Sequence, residues 1–401
     1  MSESEPQNLV VLGATGTIGL NTLDVASRHP DRFRIHALSA HSRIDELADL
    51  CHKYRPRYAV TADSAGADQL RTRLASSQPE LDVLVGEDGL KAVVSEPDTD
   101  QVMAGIVGAA GLLPVLEAIK ADKRVLLANK EPLVMAGAIV MPALANSSAL
   151  LVPVDSEHNA IFQCLPGGYH CGQPPEGVEE LVLTASGGPF RDRALDSFAG
   201  ITPAEAVQHP NWTMGAKISV DSATMMNKGL EWIEAVWLFG LPYEKISVVL
   251  HPQSIIHSMV SYADGSVLAQ MGQPDMRTPI AQAMAWPQRI ESGVQRLNLQ
   301  QLGQLDFRPV EDARYPCLGL ARSALQSAGM APTVLNAANE IAVDAFLKGQ
   351  LDYLGIPRLI EASLNALTSS EFAQARPDEL SDVLATDAWA RQYAGQHIGS
   401  L

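Results

Sequence analysis

Three acidic residues set the chemistry this sequence can support. Asp155 and Glu157 stand one serine apart, at the end of an apolar run over residues 150–154. In an extended chain, residues two apart point the same way, so both carboxylates would face one spot. Two like charges that close need a cation or a shared proton. Residues 217–237, KISVDSATMMNKGLEWIEAVW, add a third acid. They read as a short apolar strand over 218–220, then a polar crowd of Asp221, Ser222, Thr224, Asn227 and Lys228, then a helix with Leu230, Ile233 and Trp237 on one face. Asn227 and Glu231, four apart, share the other face, with Glu234 beside them. Three carboxylates make a hard-oxygen site suited to Mg²⁺ or Mn²⁺, and the sequence does not separate these from Co²⁺. Spacing leaves Glu231 and Glu234 as rivals for the third place. The plainer alternatives are a capped surface helix with solvated charges and a hydrated acidic loop.

A second set of groups suits an anionic oxygen ligand. Ser186-Gly187-Gly188, Ser222, Asn227 and Lys228 offer hydroxyls, bare backbone N–H groups, an amide and one cation. Between them runs HPNWTMG, residues 209–215, a polar loop bounded by proline and glycine and carrying Trp212. Such a loop beside a site suits a lid that orders over a ligand. His251 and His257 have no ligand spacing with another His or Cys and read as packed or solvated side chains.

A third set suits a dinucleotide. The apolar run 9–12 enters Gly13-Ala14-Thr15-Gly16-Thr17-Ile18-Gly19, and a helical pattern follows. Glycines there let backbone approach a pyrophosphate, and the helix start offers free N–H groups. The spacing is G-x-x-G-x-x-G rather than G-x-G-x-x-G, so a simple tight turn is the alternative. The next strand, 34–38, is followed by Ser39-Ala40-His41-Ser42-Arg43. No acid stands there to meet a ribose 2′-OH, whereas Arg43 and the hydroxyls suit a 2′-phosphate. NADPH is therefore expected, unless Arg43 is only a solvated loop charge.

The elements that must position these groups alternate. Strands are expected near 58–61, 83–85, 101–107, 124–128 and 150–154, with helical patterns between them. That is a mostly parallel, doubly wound Rossmann-like sheet, whose ligands gather at the carboxyl ends of its strands. Asn129-Lys130-Glu131 and residues 155–159 sit at such ends. Beyond 155 the pattern becomes α+β: a strand at 181–184, then 246–250 and 254–270 read as antiparallel strands, the latter turning at Asp264-Gly265. Residues 291–312 carry little periodicity, and from Tyr315 the chain reads as helical, with Gly349 placed to end the helix striped by Ala338, Ile341, Ala342, Ala345 and Phe346. The expected division is a cofactor domain over 1–154, a metal- and substrate-binding domain over 155–290, a linker over 291–312 and a helical domain over 313–401.

With 401 residues the chain is too long for one ordinary core. A net charge of −17 argues against nucleic acid and acidic membrane surfaces as partners. The most apolar stretch, 102–116, is broken by glycines and a proline and is too short to span a bilayer. The N-terminal residues are polar and acidic, unlike a signal peptide. Cys51, Cys164, Cys171 and Cys317 form no C-x-x-C pair and read as reduced thiols of a cytoplasmic protein.

Taken together, GATGTIG, LLANKE, PVDSEHNAIFQ, SGGPFR, HPNWTMG, KISVDSATMMNKGLE, HPQSIIHSMV and PDMRTPIAQAMAWP resemble the 1-deoxy-D-xylulose 5-phosphate reductoisomerase family. The likeness runs in order from Gly13 to about Trp286 and more loosely through ALQSAG and LNAANEIAV. It implies a homodimeric enzyme that rearranges 1-deoxy-D-xylulose 5-phosphate and reduces the resulting aldehyde with NADPH, giving 2-C-methyl-D-erythritol 4-phosphate for non-mevalonate isoprenoid synthesis. By resemblance, the metal ligands fall on Asp155, Glu157 and Glu231, preferring Glu231 to Glu234. Ser156 and Lys130 fall where the family meets the substrate's hydroxyl and carbonyl oxygens. Ser186, Ser222, Asn227 and Lys228 match the phosphate pocket, and His209 and Trp212 a mobile lid. Thr15, Gly16, Thr17, Ile18, Asn129, Glu131 and Gly215 match cofactor contacts. Many members carry Asn where this chain has Arg43, so the detail of 2′-phosphate binding departs from the pattern. The rival functions are a metal-independent NAD(P)H dehydrogenase of a small carbonyl acid and a non-catalytic NADPH sensor.

Overall fold

The computed structural model describes residues 5–212 and 215–400. The chain forms two compact units. The first gathers the described residues through Pro132 with Val140–Asn159 and Asp275–Gln295; the second gathers Leu133–Ile139, Ala160–Pro274 and the described residues from Arg296 onward.

The first unit is built on strands β1 (Gln7–Leu12), β2 (Phe33–Ala40), β3 (Tyr58–Thr61), β4 (Asp82–Val85), β5 (Gln101–Ala104), β6 (Arg124–Leu127) and β7 (Leu150–Pro153). Helices α1 (Thr17–Arg28), α2 (Ile44–Tyr54), α3 (Ser64–Leu74), α4 (Gly86–Ser95), α5 (Leu112–Lys120) and α6 (Glu131–Ala145) alternate with them, and α7 (Ser156–Cys164) follows β7. The sheet order is β4-β3-β2-β1-β5-β6-β7, and every pairing is parallel. Leu9, Val10, Val11 and Leu12 are all buried, as are Val125, Leu126 and Leu127. Such unbroken apolar runs are what strands covered on both faces require. The order reverses between β1 and β5, which puts the ligand crevice of this architecture beside the glycine loop after β1.

Residues 275–295 join this unit, although local pattern alone divides the chain at 155 and 290. The reason is a set of long-range polar ties. Arg277 pairs with Asp24 of α1 at 3.1 Å, and Met284 O accepts from Gln101 Nε2 at 3.1 Å. Gln282 Oε1 accepts from Asn159 Nδ2 at 2.7 Å. All but Arg277's tie come from α11 (Arg277–Ala285) interior positions, and no periodicity announces them.

The second unit carries a four-stranded sheet of β8 (Val178–Ala185), β9 (Ile246–Leu250), β10 (Ile256–Tyr262) and β11 (Val267–Met271), in the order β11-β10-β8-β9. The hairpin at Asp264-Gly265 joins β10 to β11 as expected. β9 corrects the antiparallel expectation: it lies at the opposite edge, parallel to β8. The helices α8 (Pro203–Ala206), α9 (Ala216–Ala223) and α10 (Met226–Phe239) between β8 and β9 make that parallel return possible, since a parallel pairing needs a long crossover. After the short α12 (Leu299–Leu302) come α13 (Pro316–Ser327), α14 (Ala331–Leu347), α15 (Gly355–Leu367) and α16 (Leu380–His397). Leu230 and Ile233 of α10 share one apolar core with Leu335, Ala338, Ala342 and Phe346 of α14. Gly349, at φ +70°, ends α14 by donating to Phe346 O at 2.9 Å, a left-handed position that suits glycine.

The stretch 217–237 departs from the sequence reading at its start. Residues 218–220 are not a strand but part of α9, and the polar crowd marks a break between two helices. Met225 makes that break at φ +61°, buried, while Thr224 Oγ1 accepts from Met226 N at 3.3 Å. The apolar pair Ile218 and Val220 imitates strand alternation. Packing decides otherwise, since Asn339 of α14 donates to Asp221 Oδ1 at 2.8 Å within the buried interior.

All four cysteines are free thiols. No described helix is long and apolar enough to cross a membrane.

Candidate active site

In the first unit, the glycine loop is held by close approach. Gly13 sits at φ +76°, and a Cβ there would stand 2.8 Å from Gly105 O at the end of β5. A Cβ on Gly19 would meet Ala14 Cα at 2.5 Å. Only glycine fits either place. Gly16 is the N-cap of α1 with no side-chain cap, so the first-turn N–H groups of Thr17 and Ile18 are not closed off by the cap residue. Thr15 is buried beside them. Ser39, at the end of β2, accepts from Gly13 N at 3.0 Å, so one expected 2′-phosphate hydroxyl instead braces the loop. Arg43 is exposed at the start of α2.

Asn129, just after β6, is 6% exposed, and among the described residues neither its Oδ1 nor its Nδ2 has a hydrogen-bond partner. Leaving a buried amide unmet costs roughly 1–3 kcal/mol. A carboxamide or hydroxyl from a ligand would meet both atoms, so the residue fits the cofactor contact expected of it. Glu131 follows, buried at the start of α6.

The D-x-E pair is not extended. Asp155 precedes α7, and its Oδ1 accepts from Glu157 N at 3.3 Å while its carbonyl accepts from Asn159 N at 2.8 Å. An aspartate before a helix gains by accepting such N–H groups, so the chain turns at Asp155 instead of continuing β7. The two carboxylates still gather, each with a ligand oxygen within 4.8 Å of the other. Lys130 Nζ donates to Asp155 Oδ2 at 2.9 Å, with both side chains largely buried. Ser156 Oγ donates to Glu157 Oε2 at 2.5 Å. By resemblance Lys130 meets the substrate; in the structure it is the cation that pairs with Asp155 and orients it.

In the second unit, the surface-helix alternative for α10 is excluded by burial. Lys228 is 3% exposed and Glu231 0%. Asn227 Nδ2 donates to Glu231 Oε1 at 2.5 Å, and Lys228 Nζ pairs with Glu231 Oε2. Both carboxylate oxygens are thereby oriented by donors one turn earlier. Glu234 is also buried.

Ser186 follows β8 directly and enters a turn in which Gly187 and Gly188 both have positive φ. Gly188 is pressed onto the end of α9: a Cβ there would stand 2.8 Å from Ser222 O and 2.9 Å from Ala223 Cα. The turn and the residue carrying the Ser222 hydroxyl are therefore neighbours. His209 Nδ1 accepts from Asn211 N at 3.2 Å and Trp212 N at 3.0 Å, which assigns its proton to Nε2. That Nε2 lies 2.9 Å from Ser186 Oγ, which also accepts from Gly188 N at 3.1 Å. With two donors on its oxygen, Ser186 turns its own O–H toward a third acceptor, the role a phosphate oxygen would fill. Asn211 is anchored through Pro252 O at 2.7 Å, and the Trp212 ring lies 6.0 Å from that of His257. Gly215 starts α9; Thr213 and Met214 of the expected lid lie outside the described residues. His251 is buried and packed, its Nδ1 2.8 Å from Asp306 O and its Nε2 accepting from Ile255 N at 3.2 Å.

Sequence reasoning missed three buried donors that reach this region from the C-terminal helices. Tyr315 donates to Gly187 O, Tyr353 to Ala223 O and Asn339 to Asp221, each at 2.8 Å. They lie 118 to 130 residues from their acceptors, beyond any local spacing signal.

Three family models match the chain: 1-deoxy-D-xylulose 5-phosphate reductoisomerase over residues 9–137, its C-terminal domain over 151–239, and the DXP reductoisomerase C-terminal domain over 271–393. The 1-deoxy-D-xylulose 5-phosphate reductoisomerase of Stutzerimonas stutzeri (strain A1501) is 56% identical over 395 residues, covering 98% of each chain. That of Methylobacillus flagellatus is 55% identical, covering 97% of each. Among solved structures, a DOX-P reductoisomerase in complex with NADPH, fosmidomycin and magnesium superposes with a TM-score of 0.94 at 44% identity, covering 98% of each chain.

Proposed function

The chain belongs to the 1-deoxy-D-xylulose 5-phosphate reductoisomerase family, and from that premise we infer that it converts 1-deoxy-D-xylulose 5-phosphate to 2-C-methyl-D-erythritol 4-phosphate with NADPH, supplying isoprenoid precursors. The observation that carries this reading is the donor set. Asp155 and Glu157, gathered in the first unit, and Glu231, oriented in the second, are the carboxylates this reading assigns to a metal ion, and hard carboxylate oxygens are what Mg²⁺ or Mn²⁺ takes. A metal-independent dehydrogenase or a cofactor sensor has no use for such a set. When bound, the ion supplies Lewis-acid polarisation of the substrate's oxygens, and NADPH supplies the reducing hydride.

The chain's own residues bind and orient. Lys130 fixes Asp155 and presents its ammonium to the substrate's carbonyl side, while Ser156 offers a hydroxyl beside Glu157. Asn227 and Lys228 hold Glu231 in one rotamer and, with Ser186 and Ser222, grip the phosphate. His209 fixes the Ser186 hydroxyl direction, and Trp212 closes over the carbon chain. Thr15, Gly16, Thr17, Ile18, Asn129, Glu131 and Gly215 hold the cofactor. Anchoring the phosphate at one end and the reacting oxygens at the other keeps the migrating carbons in register, which lowers the entropic part of the barrier. The test is the product: NMR of the reaction mixture should show the branched skeleton of 2-C-methyl-D-erythritol 4-phosphate. An unbranched polyol phosphate would mean reduction without rearrangement.

Arg43 reads the 2′-phosphate in this proposal, because β2 ends without an acid and Arg43 stands exposed just beyond. Arg43→Ala should raise the KM for NADPH roughly 10-fold, about the effect of one charge-assisted contact, and leave that for NADH within roughly 2-fold. Equal effects on both cofactors would contradict the assignment.

We further propose a cytoplasmic homodimer. Four free thiols suit a reducing compartment. The edge strand β11 exposes Val267 (54%), Leu268 (48%) and Met271 (37%), an apolar edge that a soluble protein normally covers. Light scattering should give twice the chain's mass, and Leu268→Lys should lower it toward one; a monomeric wild type would refute the dimer.

A further inference from the structure

We propose that Tyr315 and Tyr353 are positioning residues of the phosphate pocket, their hydroxyls fixing the two backbone segments that carry Ser186 and Ser222. The proposal rests on the reading of that pocket given above. Tyr315 lies immediately before α13 and donates to Gly187 O at 2.8 Å. Tyr353 lies between α14 and α15 and donates to Ala223 O at 2.8 Å. The two acceptors are not arbitrary carbonyls. Gly187 follows Ser186 directly, and Ala223 follows Ser222.

The segments also lean on each other, because the glycine at 188 lets the turn sit against Ser222 O and Ala223 Cα. A shift of either segment therefore moves the other. Gly187 and Gly188 have positive φ and no side chain to pack, so the direction of the turn rests on the hydrogen bonds its backbone makes. Arg191 Nη1 supplies one anchor by donating to Ser186 O at 3.2 Å, and Tyr315 supplies the next along the chain.

Both rings are fixed in turn. Tyr315 is buried in a cluster with Ala185, Met225, Leu250 and Leu318. Tyr353 meets Phe190, Phe198 and Phe346 edge-on, with centroids 5.4 to 5.9 Å apart. Burial pushes the Tyr315 hydroxyl up to about 12 and that of Tyr353 upward too, so both are protonated donors at neutral pH. Neither hydroxyl needs to touch the substrate. Each sets where a neighbouring serine stands, and a phosphate read by several short hydrogen bonds is sensitive to displacements well below an ångström.

The experiment compares Tyr315→Phe and Tyr353→Phe with wild type on the phosphorylated substrate and on 1-deoxy-D-xylulose, which lacks the phosphate. Phenylalanine keeps the ring and its packing and removes only the donor. The expected result is a KM for the phosphorylated substrate raised about 5- to 20-fold in each variant, the range of one lost hydrogen bond in a binding site. The kcat/KM for the dephosphorylated analogue and the affinity for NADPH should stay within about 2-fold. A merely structural role would lower activity on both substrates alike, and that result would overturn the proposal, as would an unchanged KM. Thermal unfolding is recorded for each variant; should one not fold, the other carries the test, and should both be destabilised, each is assayed below its unfolding midpoint beside wild type at the same temperature, with a phosphate-selective loss again expected and a uniform one contradictory. Ser222→Ala, run alongside, separates the two claims. If it shows no phosphate-selective loss, the pocket reading fails and the inference with it. If it does and the tyrosine variants do not, only the inference fails.

Discussion

Glu231→Gln is expected to lower kcat by at least roughly 100-fold and to weaken divalent-metal binding, because even groups one shell removed from a metal cost about 10–100-fold when lost. The substitution keeps the size of the side chain and removes its charge. It also sets an amide N–H₂ against a neighbour that is itself a donor, since Asn227 and Lys228 between them address both carboxylate oxygens. One of those contacts must break, so the loss falls on the carboxylate's orientation as well as its charge. NADPH affinity should stay within about 2-fold, because the glycine loop belongs to the other unit. Glu234→Gln is the control. Glu234 is equally buried, so its substitution is expected to lower thermal stability while leaving metal affinity within about 3-fold of wild type. Metal titration beside kcat reads both. Damage confined to Glu234→Gln would move the third ligand by about one helical turn along α10; two mild variants would remove the three-carboxylate site.

The second large effect is expected at Lys228. This ammonium is buried, pairs with Glu231 and is assigned here to the phosphate. Losing a charge-assisted contact costs roughly 1.5–3 kcal/mol, or about 10- to 150-fold in affinity. Lys228→Ala also leaves Glu231 with Asn227 but without its cation, a buried carboxylate less well compensated than before. Both KM and kcat should therefore suffer, unlike the tyrosine variants, which should move KM alone. Calorimetry with a phosphonate–hydroxamate ligand and with the same hydroxamate lacking the phosphonate isolates the phosphate part. The first should lose at least about 10-fold in affinity and the second distinctly less; equal losses would deny Lys228 its phosphate role.

What the sequence could reveal followed the range of each interaction. The parallel sheet was legible because strands covered on both faces must be continuous apolar runs, and residues 9–12 and 125–127 are. The Asn227–Glu231 contact was legible because four residues on a helix is one turn. Elsewhere the same local rules misled. Ile218 and Val220 alternate like a strand yet lie in α9, held there by Asn339 at a separation of 118 residues. Asp155-Ser156-Glu157 read as extended, because capping of α7 by Asp155 competes with continuation of β7 and spacing does not weigh the two. Ile246–Leu250 read as antiparallel because strand direction depends on the crossover, not on the strand, and the strand runs parallel to β8. The braces from Tyr315 and Tyr353 were invisible for a simpler reason: a tyrosine before a helix carries no mark of the carbonyl it will meet.

The most direct test of the central claim is the loss of nicotinamide absorbance by purified protein given NADPH, Mg²⁺ and 1-deoxy-D-xylulose 5-phosphate, with each component omitted in turn and the metal also removed by chelator. NADPH oxidation is expected only when all are present, and restoring Mg²⁺ after chelation should restore the rate. Oxidation that continues with metal removed, or that proceeds without the sugar phosphate, would contradict a metal-assisted rearrangement and reduction at Asp155, Glu157 and Glu231.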